Sequence, residues 1–201
     1  MRLSVENMQF RFVSVSQGAS LIKPFSLEEV KEAVWNCDSN KSPGHNGIHF
    51  GFIKDFLHDM TDEIMCFVSE FHRIGKLSKG INTAFIALIP KVDSPQKLNN
   101  FRPISLVGSL YKILAKLLVN RLWGIIGFVV SESRSTFVKN RQILDGILIA
   151  NEVVDEACKS KKDLMLFKVD FEKAYDSVDW GYLDSVMGRM SFPVLWRKWI
   201  R

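Results

Sequence analysis

The sequence predicts an α+β fold, in which helices and strands are mixed without a regular βαβ alternation. Helical patterns outnumber strand patterns, and the strand candidates lie far apart along the chain. Hydrophobic residues make up 47% of the 201 residues, and charged residues make up 24%. Such a chain can form a core and does not have the composition of a disordered protein.

The first elements are indicated by caps and breakers. Residues 1–24 show no clear pattern, whereas Ser26 and Glu29 form an S-x-x-E capping box at the start of a helix. The stretch NKSPGHNG (40–47) is a loop by composition. Two helical patterns follow this loop, and the second is expected to run from Thr61 to a stop near Gly75.

A strand and two amphipathic helices are predicted next. TAFIALIPK (83–91) is a strand candidate that ends at a proline, and a polar loop leads from it to FRPISL. The first helix follows, with Lys112 and Lys116 on a stripe separate from its apolar residues, which are Leu110, Ile113, Leu114, Leu117 and Leu118. RQILDGILIANEVVDEACKS forms the second helix.

The C-terminal stretch predicts a strand followed by two helices. LMLFKVD (164–170) is an apolar run of strand-forming residues that ends at Asp170. We expect Asp176 to cap a helix through Trp180 and Pro193 to open a last one.

Charge and cysteine content narrow the class of protein. Nine Lys and Arg face only two acids between residues 91 and 141, a local balance of +7 within a chain of net charge +5. The excess of positive charge favours a nucleic-acid partner. If the charge is considered without other evidence, an ordinary solvent-exposed surface rich in lysine explains it equally well. The three cysteines are far apart, which suits a reducing compartment and argues against disulfides or a zinc site.

No membrane or export signal is found in the sequence. The longest apolar stretch, near residues 122–130, is far shorter than the roughly 20 residues that span a bilayer. MRLSVENMQF lacks the apolar region of a signal peptide. We therefore expect an intracellular chain that neither enters a membrane nor is secreted, with nucleus and cytoplasm both open and the oligomeric state undetermined.

Asp170 raises a chemical question, because a carboxylate at the end of a buried strand is unfavourable unless it has a partner. Mg²⁺ would satisfy it, since this ion prefers carboxylate, carbonyl and water oxygens, and the backbone of Phe171 offers a carbonyl. Asp170 could equally cap a turn or pair with Lys168 or Lys173. On the residues alone, the structural roles are favoured.

Several separate motifs, which follow one another in order along the chain, shift the interpretation of Asp170 from a structural role to metal binding. They are NKSPGHNGI, ALIPK with NFRPISL, YKILAKLLVNRL, SRSTFVKNRQILDGILIANEVVDEA and KVDFEKAYDSVDW. Together they resemble the reverse transcriptases of non-LTR (LINE-type) retrotransposons, particularly those of plants, from about Phe25 onward. The resemblance implies a partial right-hand polymerase fold, with helix-rich fingers at 25–160 and the start of the palm, its first strand and helix, at 161–201.

The resemblance also implies the site. Asp170, with the Phe171 carbonyl, would bind two catalytic Mg²⁺ ions about 3.5–4 Å apart, for phosphoryl transfer to a DNA primer. Tyr175 would be the steric gate that selects dNTPs, although a half-buried packing ring is the alternative. Lys91 and Arg102 would grip the triphosphate. The RNA template would lie along a loop that contains Phe137, Lys139 and Arg141.

Departures from the family pattern limit what residues 1–201 are expected to do alone. The loop reads GHNG where the family usually has GPDG, and Arg134 and Thr136 replace the usual Gln and Ala. The family's second metal motif, an aromatic-Ala-Asp-Asp hairpin, has no counterpart, because no Asp-Asp occurs in the 201 residues. We therefore predict a polymerase fragment that is inactive alone. Two alternatives remain: a nucleic-acid-binding module without catalysis, and a non-functional pseudogene product.

Overall fold

The computed structural model of the chain describes residues 9–130, 143–165 and 177–201. Within these ranges the chain is rich in helices and has one small sheet of two strands, which confirms the prediction of a mixed, mainly helical fold. The helices are α1 (Val15–Ile22), α2 (Leu27–Trp35), α3 (Phe50–Asp55), α4 (Leu57–Ile74), α5 (Ser109–Val129), α6 (Ile143–Ser160), α7 (Trp180–Arg189) and α8 (Val194–Ile200). The strands are β1 (Ala84–Pro90) and β2 (Phe101–Val107).

The chain forms two compact units. The central unit comprises residues 23–121, and the terminal unit comprises residues 1–22 together with 122–201. Helix α5 begins in the central unit, and its last residues belong to the terminal unit. The functional division expected from the sequence, at residues 25–160 and 161–201, concerns polymerase regions and stays a prediction.

Helix α2 begins at the capping box that the sequence predicts. The Ser26 hydroxyl accepts a hydrogen bond from the Glu29 backbone N–H at 3.2 Å, and the Glu29 carboxylate accepts one from the Ser26 N–H at 3.0 Å. These bonds satisfy two of the N–H groups that a helix start leaves without partners. The apolar face of α2 is buried through Val30, Ala33 and Val34.

The helix boundary predicted at Thr61 is wrong. The break lies at Phe56, whose φ of −106° and ψ of 19° interrupt the helix, so that Thr61 lies inside α4. The His49 ring caps α3 by accepting a hydrogen bond from the Phe52 N–H at 3.2 Å, a contact that apolar spacing does not reveal. The predicted stop of α4 is confirmed, because Gly75 ends it in a left-handed conformation with φ of 68°.

The core of the central unit combines three helical faces. Side chains of α2, α4 and α5 are buried here, and those with almost no exposure are Val30, Val34, Ile64, Val68, Ile113 and Leu117. Their spacing along each helix follows the amphipathic pattern of the sequence. The predicted inward face of α5 is confirmed for Ile113, Leu114 and Leu117, which are buried, whereas Leu110 and Leu118 are half-buried, as are Lys112 and Lys116.

The two strands form an antiparallel hairpin. Ala84 pairs with Val107 at one end and Pro90 with Phe101 at the other. The strand predicted over residues 83–91 is confirmed by β1, whereas β2 formed by FRPISLV is not among the predicted elements. In a two-stranded sheet the missing N–H of Pro103 can face outward, where no ladder bond is needed.

The terminal unit contains a helix that the sequence did not predict and a cap that it placed wrongly. Helix α1 lies in the segment that showed no clear pattern, and the Val13 N–H just before it donates to the Met190 carbonyl at 2.8 Å. Helix α7 is capped by Asp179, whose carboxylate accepts from the Tyr182 N–H at 2.7 Å. Asp179 holds this position because it directly precedes the first helical residue, whereas Asp176 lies outside the described residues.

Two further features complete the terminal unit. Arg197 of α8 makes a two-pronged ion pair with Asp184 of α7, with nitrogen–oxygen distances of 2.8 and 2.6 Å. The strand expected at 164–170 lies mostly outside the described residues, and its first two residues are irregular. Among the helices that the structure describes, none has the length and apolar character needed to cross a membrane.

Candidate functional site

The hairpin brings two predicted site residues together. Arg102 lies opposite Ile89 in the strand register. The Lys91 N–H donates to the Asn100 carbonyl at 2.7 Å, so strand pairing continues one residue beyond β1. Lys91 and Arg102 therefore lie at the same end of the hairpin, where β1 ends and β2 begins. Ammonium and guanidinium groups are both donors that bind phosphate oxygens.

Both cations are accessible. Lys91 and Arg102 are exposed, and the Lys91 ammonium donates to the Asn99 carbonyl at 3.0 Å. That bond holds the ammonium at the turn end of the hairpin. Arg102 offers a planar guanidinium, which can bind two phosphate oxygens at once.

The loop at residues 40–47 packs on the junction between β2 and α5. Gly44 is buried there, and a Cβ at this position would collide with the backbone of Val107 and Gly108. The Asn46 amide donates to the Ser109 hydroxyl at 3.3 Å, and that hydroxyl donates to the Ile48 carbonyl at 3.3 Å. The loop and the first turn of α5 are thereby joined by side-chain hydrogen bonds.

His45, one of the departures from the family pattern, has a structural role. Its ring meets Phe85 of β1 edge to face, with 6.4 Å between ring centroids. A ring nitrogen lies 3.4 Å from the Thr83 hydroxyl. Together these contacts connect the loop to the start of the hairpin, so that the loop touches both strands.

Three lysines, Lys41, Lys112 and Lys116, line a cleft beside this loop, and Lys54 contacts the backbone of Cys37 at its edge. The cleft has a volume of about 460 Å³ and lies between the C-terminal end of α2 and the outer face of α5. Cys37 lines it, and partial burial raises the pKa of the Cys37 thiol. The positive charges of Lys116, Lys54, Lys112 and Lys41 oppose that rise in the pKa.

The other predicted site residues lie outside the described ranges. Asp170, Phe171 and Tyr175 belong to residues 166–176, and Phe137, Lys139 and Arg141 belong to residues 131–142. Their assignments therefore stay predictions. In the ranges that the structure does describe, no group of three His, Cys, Asp or Glu side chains could hold a metal ion. The donor chemistry of Asp170 and the Phe171 carbonyl still suits Mg²⁺, because both supply oxygen ligands.

Sequence reasoning missed the lysine cleft as a site. The i, i+4 stripe of Lys112 and Lys116 was visible, and it is the one local signal that points there. Lys41 and Lys54 join them only through the packing of α2 and α3 on α5, which no local spacing shows.

Comparison with known proteins now defines the class. The sequence model described as reverse transcriptase (RNA-dependent DNA polymerase) matches residues 89–201, which is more than half of the chain. The chain therefore belongs to the reverse transcriptase family. Members of this family generally use divalent metal ions and act on nucleic-acid templates, primers and nucleotides.

The relatives are proteins of transposable elements. The chain is 29% identical over 180 residues to the Transposon TX1 uncharacterized 149 kDa protein of Xenopus laevis, a match that covers 90% of this chain and 14% of the relative. It is 32% identical over 100 residues to the RNA-directed DNA polymerase from mobile element jockey of Drosophila funebris, covering 49% of the chain and 11% of the relative. A probable RNA-directed DNA polymerase from transposon BS of Drosophila melanogaster is 24% identical over 160 residues, covering 78% of the chain and 18% of the relative.

These matches confirm the resemblance to retrotransposon reverse transcriptases. The chain spans between 11% and 18% of the length of these three relatives. The matched family region begins at Ile89 in β1, so it includes both Lys91 and Arg102.

Proposed function

We propose that the chain forms the fingers and the start of the palm of an RNA-directed DNA polymerase from a LINE-type retroelement. The observation that carries the proposal is the family match over residues 89–201, which includes Lys91, strand β2 and the VDFEKAYD motif. In the parent enzyme the reaction would be nucleotidyl transfer. The primer 3′-hydroxyl attacks the α-phosphorus of a dNTP, a new phosphodiester bond forms, and pyrophosphate leaves.

The hairpin would hold the incoming nucleotide. Its two neighbouring cations, Lys91 and Arg102, suit the β- and γ-phosphates, because fixed positive charge stabilises both the bound triphosphate and the departing pyrophosphate. Their position on an exposed face leaves room for a ligand of this size. Tyr175 would reject ribonucleotides by clashing with a 2′-hydroxyl.

Asp170 and the Phe171 carbonyl would hold Mg²⁺. When bound, two such ions activate the primer hydroxyl and stabilise the leaving group. The chain's own contribution would be an oxygen ligand at Asp170, where the sequence predicts the end of a strand. Phe137, Lys139 and Arg141 would contact the RNA template, through one aromatic ring and two cations suited to a base and to phosphates.

A second candidate is a nucleic-acid-binding module without catalysis, which the +7 balance of residues 91–141 favours. Both functions require binding to a template–primer duplex, whereas a pseudogene product that folds poorly would lack a cooperative melt. The test measures the fluorescence anisotropy of a labelled RNA–DNA template–primer between roughly 50 and 200 mM salt. We expect binding that weakens steeply with salt. Binding that is absent at low salt, or unchanged by salt, would overturn both functions.

A further inference from the structure

The lysine cleft of the central unit is a separate binding surface. Its walls are the C-terminal end of α2 with the loop that follows and the outer face of α5. The volume of about 460 Å³ falls within the roughly 300–1,000 Å³ of small-ligand pockets. None of the motif residues assigned to the nucleotide, metal or template lines it. The roles proposed for the motif residues therefore do not explain what the cleft binds.

The charge of the cleft favours an anion. Lys41, Lys112 and Lys116 line it, and among the lining residues that the structure describes Asp38 is the one acid. Asp38 already accepts a hydrogen bond from the Asn40 N–H at 2.9 Å. Lys112 is held toward the loop by donating to the Ser42 carbonyl at 3.2 Å. Among the described lining residues, three lysines and one aspartate give an excess of positive charge, which favours a negatively charged ligand.

Lys54 does not line the cleft, but its positive charge lies next to the cleft residue Cys37. Its ammonium donates to the Cys37 carbonyl at 2.6 Å and to the Ser39 hydroxyl at 3.1 Å. It also lies 5.5 Å from the centroid of the Trp35 ring. These contacts fix the backbone that forms the rim, so Lys54 acts as a support for the site and as a source of charge.

An apolar stripe lies beside the cations. Tyr111, Ala115 and Val119 follow one another at i, i+4 spacing on α5, next to the stripe of Lys112 and Lys116. Tyr111 is 36% exposed and Val119 is 39% exposed. An accessible aromatic ring next to ammonium groups matches the two halves of a nucleotide, because bases stack on rings and phosphates pair with cations.

We infer that the lysine cleft binds one nucleotide unit of a single-stranded nucleic acid, with its base on Tyr111 and its phosphate among Lys41, Lys112 and Lys116. The inference rests on the proposed function for the kind of polymer and adds a subsite outside the motif residues. An uncharged apolar segment is the weaker occupant, because it would desolvate three ammonium groups without supplying an anion.

Cys37 provides a reporter inside the cleft. The chain has three cysteines, and Cys66 and Cys158 are exposed, so a Cys66→Ser/Cys158→Ser chain retains one thiol. The measurement is the rate of Cys37 alkylation by iodoacetamide, a neutral reagent, with and without a uridine dodecanucleotide. At an oligonucleotide concentration about ten times its Kd, only about a tenth of the clefts are unoccupied. Alkylation of Cys37 should therefore be roughly ten-fold slower.

Matched variants assign the protection to the cleft. Lys112→Gln/Lys116→Gln should abolish most of the protection. Lys31→Gln/Lys79→Gln removes the same charge from exposed positions of the central unit and should preserve it. Tyr111→Phe should keep the protection and Tyr111→Leu should weaken it, with all charges unchanged. Circular dichroism melts establish that each variant is folded, and the tyrosine pair decides the question where the lysine variant does not fold.

The outcomes separate this inference from the proposed function. Oligonucleotide binding by anisotropy without protection of Cys37 would overturn the cleft assignment and leave the proposed function intact. No binding at all would overturn the proposed function as well. Protection by AMP or inorganic phosphate but not by the oligonucleotide, or protection that survives Lys112→Gln/Lys116→Gln, would also overturn the assignment.

Discussion

Arg121 is a buried cation of the central unit with several hydrogen-bond partners. Its side chain is buried, and its guanidinium contacts both carboxylate oxygens of Glu29, at 3.0 and 2.9 Å. It also donates to the Lys23 carbonyl at 2.6 Å and to the Pro24 carbonyl at 3.0 Å, and it lies 3.9 Å from the Phe25 ring centroid. Arg121, one of the nine basic residues between residues 91 and 141, therefore holds the start of α2 and is not available to a ligand.

Replacing Arg121 should destabilise the chain. Arg121→Gln leaves the Glu29 carboxylate and two backbone carbonyls without their charged donor, a change that we expect to cost about 2–3 kcal/mol. Arg73→Gln, at an exposed position of α4, should change the free energy of unfolding by less than about 0.5 kcal/mol. Urea unfolding measures both. Equal effects would contradict the role of Arg121.

The same contact makes stability depend on pH. Burial acts to raise the pKa of Glu29, but the hydrogen bonds from Arg121 and from the Ser26 N–H, with the charges of Arg121 and Lys23, lower it below 4.5 overall. The folded chain therefore binds fewer protons than the unfolded chain in that range. The stabilisation is present above about pH 4.5 and is lost as the pH falls through the folded-state pKa.

Glu29→Gln should therefore reduce the loss of stability below pH 4.5 while lowering stability at neutral pH. Urea unfolding at a series of pH values checks this result. Glu63→Gln, on the exposed side of α4, serves as the control and should keep the acid sensitivity of the unaltered chain. Identical pH profiles for the Glu29 variant and the control would contradict the account.

At the scale of elements, the junction of the loop with β2 and α5 depends on Gly44. A methyl group there would collide with the backbone of Val107 and Gly108, so Gly44→Ala should destabilise by about 1–3 kcal/mol. A Cβ at Gly124 in α5 would meet no atom within 4 Å, and Gly124→Ala should stabilise by up to about 1 kcal/mol. Thermal melts should shift in opposite directions, and a neutral Gly44→Ala would contradict the packing described.

Elements with local signals could be predicted from the sequence, and those that depend on packing could not. The capping box of α2, the strand at residues 83–91 and the stop at Gly75 were predicted from a few adjacent residues. The second strand exists because it pairs with the first, and α1 contains glycine and serine that favour no helix in isolation. The lysine cleft likewise depends on residues distant in sequence.

At the scale of the whole molecule, the hairpin carries many exposed apolar side chains. Phe85, Ile86, Leu88, Ile89 and Ile104 are all more than 40% exposed. A two-stranded hairpin is marginal by itself, so its order depends on contacts such as that between His45 and Phe85. The hairpin residues that we propose to bind the triphosphate, Lys91 and Arg102, would therefore depend for their order on the loop that contains His45.

The central claim is that Asp170 is a metal ligand of a polymerase, and primer extension tests it most directly. The chain is assayed with template–primer, dNTPs and Mg²⁺ or Mn²⁺, alone and fused to a reverse transcriptase segment that contains the aromatic-Ala-Asp-Asp motif. We predict no extension by residues 1–201 alone, because two-metal chemistry needs several converging carboxylates, and template-dependent extension by the fusion. Asp170→Ala should abolish that activity, whereas Asp163→Ala, which removes the same charge, should keep it. Extension by the fusion that survives Asp170→Ala would contradict the account.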